Sequence, residues 1–76
     1  MYLKGGNEMI IPKKEEIRKR REAIGLTRCS LSRQAGLSNN ALYRIETGQS
    51  SYVYPIRARA IAEALGCEME DVFVVK

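Results

Sequence analysis

Residues 27–49, TRCSLSRQAGLSNNALYRIETGQ, constrain this chain more than any other stretch. Their punctuation allows little besides two short helices joined by a tight turn. Thr27 suits an N-cap, because its hydroxyl can accept from one of the orphan N–H groups of a first helical turn. Leu31 and Ala35 lie four apart and share one face of the helix that follows. Gly36 can take the left-handed conformation that ends a helix without a Cβ penalty. Ser38 can cap the chain again two residues later. Ala41, Leu42 and Ile45 then form the buried stripe of a second helix, leaving Asn39, Asn40, Tyr43 and Arg44 outward. Two crossed helices around a Gly-containing turn make a helix-turn-helix unit.

The rest of the chain must supply a core for this unit. Seventy-six residues fit one domain that buries about 60% of its unfolded surface, for which a small all-α core is economical. No apolar run approaches the ~20 residues of a membrane span, and residues 1–12 are too short and too polar for a secretory signal. A cytoplasmic protein without membrane attachment is expected. There is no histidine, and Cys29 and Cys67 do not make a four-ligand zinc pattern. No metal and no cofactor is expected; the cysteines read as unpaired thiols of a reducing compartment, Cys29 exposed and Cys67 buried. Lacking also a Gly-rich phosphate loop and room for a pocket, the chain does not read as an enzyme.

The formal charge is +4, and its distribution says more than its size. Residues 1–48 hold ten Lys/Arg against five Asp/Glu, and residues 49–76 hold three against four. The basic excess sits on the half that carries the helix pair, as a surface facing phosphate requires, although charge runs are also ordinary solvated helix faces.

In chain order, Tyr2-Leu3 and Met9-Ile10-Ile11 flank a turn signal at Gly5-Gly6-Asn7. Residues 1–11 therefore read as a hairpin or strand, or as a frayed extension. Pro12 suits the first position of a helix running to about Ile24, with Glu15 and Glu16 in its first turn and Gly25 just past its end. Ile17, Ile24 and the stems of Arg20 and Arg21 would face inward. Pro55 opens a fourth helix to about Leu65, with Ala58, Ile61, Ala62 and Leu65 as its core stripe and Gly66 as its stop. Tyr52 and Tyr54 would pack against it. A fifth helix from about Glu68 to Phe73 carries Met69, Val72 and Phe73. Residues 74–76 read as an extended segment that pairs with the N-terminal residues or with a second copy. The domain proper is thus 12–73, an all-α five-helix bundle with room for short terminal β segments.

The order Leu26-Thr27, Leu31, Ala35-Gly36-Leu37-Ser38, Leu42, Arg44-Ile45-Glu46 and Gly48, continued by Ile61-Ala62-Glu63-Ala64-Leu65-Gly66 and Asp71-Val72-Phe73, resembles the phage repressor/Cro-like (XRE-type) helix-turn-helix family. The resemblance covers roughly residues 17 to 73 and implies a compact lambda-repressor-like DNA-binding bundle. It implies base contacts at Asn39, Asn40, Tyr43 and Arg44. Phosphate contacts would fall to Arg28, Ser38, Gln49, Ser50 and Ser51. It also implies a structural ion pair between Arg21 and Glu46, where two ordinary surface charges are the plainer reading. The chain departs from the family at Arg20, which stands for a leucine, Arg28 for a glutamine, Ser30 for the glutamate of a capping box, and Gln49 for a lysine; the proline usual soon after Gln49 is also absent, and the loop to Pro55 is about one residue longer.

These residues point to a sequence-specific DNA-binding transcription regulator, a repressor. Its recognition helix, about 38–47, would lie in the major groove of double-stranded DNA. Asparagine can pair with adenine and arginine with guanine; Asn40 is the best single base reader, and Asn39 can equally be a cap. One such domain reads few bases, so a homodimer on a palindromic operator is expected, joined through Met69, Val72, Phe73, Val74 and Val75. Switching would come from a regulatory protein partner, from competition at the operator or from concentration. The alternative is a protein-interaction module, such as the antitoxin partner of a toxin, using the hydrophobic C-terminus.

Overall fold

Five helices and two short strands account for residues 10–75, the part of the chain that the computed structural model describes. Their order is β1 (Ile10–Pro12), α1 (Lys14–Ala23), α2 (Arg28–Gln34), α3 (Ala41–Glu46), α4 (Pro55–Leu65), α5 (Met69–Val72) and β2 (Phe73–Val75). Every element gives at least one apolar side chain to a single core. Ile10, Ile17, Leu31, Leu42, Ile61, Val72 and Phe73 are essentially inaccessible to water, and Ala58 and Ala62 let α4 approach its neighbours closely. Burying each of the larger side chains contributes about 1.5–3 kcal/mol.

The strands close the first and last of the described residues against each other. β1 runs antiparallel to β2, with Ile10 opposite Val75 and Pro12 opposite Phe73. On its other side the Ile10 carbonyl accepts from the Val53 N–H at 2.8 Å, so β1 also ties down the segment between α3 and α4. Pro12 is therefore a strand residue rather than the first residue of a helix. Having no N–H, it cannot donate across the ladder, and the Lys13 N–H makes the next bond instead, to the Val72 carbonyl at 2.9 Å. Residues 1–9, expected to contain a hairpin or a frayed extension, lie outside the described residues.

Three further expectations are corrected here. Ile24 is half exposed at the C-cap of α1, because the helix has ended and Leu26 packs against the core in its place. Val72 and Phe73 are fully buried in the chain's own core and cannot face a second copy. Tyr52 and Tyr54 meet edge to face at 6.3 Å with their rings largely exposed, so their packing against α4 is confined to Arg57 over the Tyr54 ring among the described residues.

Candidate nucleic-acid interface

The turn between α2 and α3 is built from local rules. The Thr27 hydroxyl accepts from the Ser30 N–H at 3.0 Å and caps α2. At the other end Gly36 adopts φ +75, and the Gly36 and Leu37 N–H groups bond back to the Arg33 and Ser32 carbonyls. This is the paired closure that a left-handed residue after a helix makes possible. No atom stands in the way of a Cβ at Gly36, so the glycine is required by backbone conformation, not by space.

α3 starts later than its sequence suggests. Ser38 and Asn39 precede the helix, Asn40 is its N-cap residue, and no side chain of its own caps it. The missing cap comes from the partner helix. Ser32, fully buried in α2, donates its hydroxyl to the Arg28 carbonyl at 2.8 Å and accepts from the Leu42 N–H at 3.0 Å. One hydroxyl thus satisfies an orphan donor of α3 and fixes the two helices together.

On α3, Leu42 and Ile45 face the core while Tyr43 and Arg44 face outward, beside exposed Asn39 and Asn40. A shallow concavity of about 510 Å³ runs along this face, lined among others by Arg28, Cys29, Asn39, Asn40 and Tyr43. After α3, Gly48 takes φ +87 and the Ser50 N–H is spent on the Arg44 carbonyl at 3.0 Å. That amide is unavailable to a phosphate; the exposed Gln49 and Ser51 are not so engaged. Lys14 of α1 reaches over this turn, its Nζ lying 3.2 Å from where a Cβ on Gly48 would be.

Glu46 ends α3 and points into the protein, its side chain only 3% exposed. Arg21 of α1 meets it with two bonds, Nε to Oε2 at 2.8 Å and Nη2 to Oε1 at 3.1 Å, and gives Nη1 to the Leu26 carbonyl at 2.8 Å. This fork-to-carboxylate geometry is the strong form of the interaction. The Glu46 hydrogen bond raises the Arg21 pKa, so the guanidinium stays charged at any ordinary pH. A second cation shares the carboxylate, which sequence reasoning missed: Arg28 Nε donates to Glu46 Oε1 at 3.0 Å, and the Arg28 guanidinium lies 5.4 Å from the centre of the Tyr43 ring. The signal for it was the arginine at a position where the family carries glutamine.

Among the described residues no group of three His, Cys, Asp or Glu side chains could hold a metal ion, and no helix is long and apolar enough to cross a membrane. Burial pushes the Cys67 thiol up, whereas Cys29 lies exposed on the concave face.

A model of the Cro/C1-type helix-turn-helix DNA-binding domain matches residues 16–76. The chain belongs to this family. Among solved structures, this Cro/C1-type domain is similar to the restriction-modification controller protein C.AhdI from Aeromonas hydrophila. That likeness has a TM-score of 0.70 at 28% identity, over 76% of this chain and 86% of that one. It is similar also to the DNA-binding domain of the P22 C2 repressor, with a TM-score of 0.70 at 26% identity over 76% and 75%. One neighbour is named as a controller protein and the other as the DNA-binding domain of a repressor, and the helical bundle is of the repressor type. A comparison with curated protein sequences gave no match.

Proposed function

We propose that this Cro/C1-type domain is a sequence-specific transcriptional repressor that binds a palindromic operator as a dimer, with α3 in the major groove. The observation that carries the reading is the division of α3 into two faces. Leu42 and Ile45 are buried, and the opposite face offers Asn39, Asn40, Tyr43 and Arg44, which are exposed. Amide and guanidinium groups on such a face match the donor and acceptor pattern of base edges. The Asn40 amide makes no capping bond, since Ser32 has taken up the α3 amide, and it remains available to a base. The likeness to a repressor and to a controller protein supports the same reading.

Register on the duplex is assigned to phosphate contacts from Ser38, Gln49 and the hydroxyls of Ser50 and Ser51. Lys14, poised over Gly48, supplies the cation that Gln49 lacks. The dimer surface reduces to Met69, Val74 and Val75, extended by Ile56, which is 78% exposed across the same apolar concavity as Val75.

Selection of bound duplexes from random DNA, at stated salt, tests this directly. Wild type is expected to enrich two inverted half-sites about 34 Å apart, one helical turn. Asn40→Ala is expected to lose discrimination at one base pair of each half-site, by about 1–3 kcal/mol. An unenriched pool would end the specific-reader proposal, and a single isolated half-site would end the dimer.

A further inference from the structure

Arg28 stands where it can serve two different ends, and its contacts distinguish them. A phosphate contact needs only a cation at the groove edge. Here the side chain is instead held from two sides by α3. Its Nε is fixed on the buried carboxylate of Glu46 at 3.0 Å, and its guanidinium carbon lies over the ring of Tyr43 at 5.4 Å from the centre, one turn earlier on the same helix. Glu46 is itself anchored by the two bonds from Arg21 of α1. Arg21, Glu46, Arg28 and Tyr43 therefore form a chain of contacts that starts in the core and ends at the exposed reading face. Each step in it is directional: a fork on a carboxylate, a single donor on the same carboxylate, then a guanidinium over a ring.

We propose that Arg28 is a positioning residue for sequence recognition, which holds the Tyr43 ring in one orientation toward the bases, with Glu46 setting the position of Arg28. The proposal rests on the reading of α3 as the recognition helix. Tyr43 is 46% exposed, with no other side-chain hydrogen bond or ring contact among the described residues. A lysine at position 28 keeps the charge but has neither the planar face nor the Nε donor needed to hold Glu46 and Tyr43 together. A glutamine, the family's residue, has no charge to place over the ring.

The test is titration of the duplex selected by wild type, and of duplexes changed at each base pair, with wild type, Arg28→Lys, Arg28→Gln, Tyr43→Ala and the Arg28→Lys/Tyr43→Ala double variant. Arg28→Lys is expected to lower discrimination about two- to fivefold at the base pair where Tyr43→Ala lowers it, the size of an exposed cation–π contact. It should leave the other positions unchanged, and the double variant should lose no more there than Tyr43→Ala alone. Three results overturn the proposal. Full discrimination everywhere with Arg28→Lys, while Arg28→Gln reduces only the salt slope by about one unit, makes Arg28 a phosphate contact. Equal weakening of all duplexes by Arg28→Lys makes its role structural. No preferred duplex for wild type removes the functional reading itself and this proposal with it.

Discussion

Ser32 holds the start of α3, the proposed recognition helix, without lying on its exposed face. Its buried hydroxyl is the acceptor for the Leu42 N–H at the start of α3. Ser32→Ala leaves that amide without a partner in the interior and is expected to cost about 1–3 kcal/mol, read as a lower urea midpoint at unchanged slope. Ser30→Ala, at a half-buried position, should cost much less; equal losses would mean that the hydroxyl has no special role. A serine inside a helical pattern reads in sequence as one more solvated polar residue, and nothing in its neighbours reveals that a second helix starts against it. The outward set was legible because residues 39, 40, 43 and 44 are what remains once the apolar stripe is placed. Glu46 was legible as inward chiefly through the family resemblance. The second cation on it was not, since a guanidinium can reach either solvent or protein from the first turn of α2.

At the scale of elements, caps and stops carried most of the information. Thr27, Gly36 and Gly66 each sit where the sequence puts them, since these residues act through their own backbone and immediate neighbours. Errors arose where a local preference lost to a long-range one. Pro12 favours a helix start, yet strand pairing with Phe73 claims it; the short apolar ends of the chain gain more by covering the core together. α3, six residues long, is far below the length of a self-supporting helix. Its place is set by α2 through Ser32 and by α1 through the Arg21–Glu46 pair. β2 has β1 on one edge and no strand neighbour on the other among the described residues. Val74 and Val75 stand exposed there. Val75→Asp is expected to turn the dimer into a monomer in light scattering with little change in thermal midpoint, because the unpaired carboxylate would be buried only in the assembly. An unchanged dimer would move the interface elsewhere. Phe73 is unsuited to that test, being buried within the protomer.

For the whole molecule, the proposed function divides its labour between two faces of the bundle. One carries Asn39, Asn40, Tyr43, Arg44 and the turn at Gly48, with Lys14 reaching over it. The other carries Ile56, Met69 and Val75. The strand β1 lies between these tasks, bonded to β2 on one side and to Val53, beyond the Gly48 turn, on the other. Arg28, Arg44 and Lys14 give the first face its basic side chains, and the expected polarity of the molecule toward DNA follows from them. The most direct test of this division is an amide chemical-shift map of the protein on addition of the duplex it selects. The largest changes are expected at residues 39–44 and 48–51, smaller ones at Lys14 and Arg28, and at Ile56, Met69 and Val75 only those due to dimerisation, present without DNA at high protein concentration. Changes confined to Ile56, Met69 and Val75, with 39–44 silent, would contradict the assignment of α3 as the recognition helix.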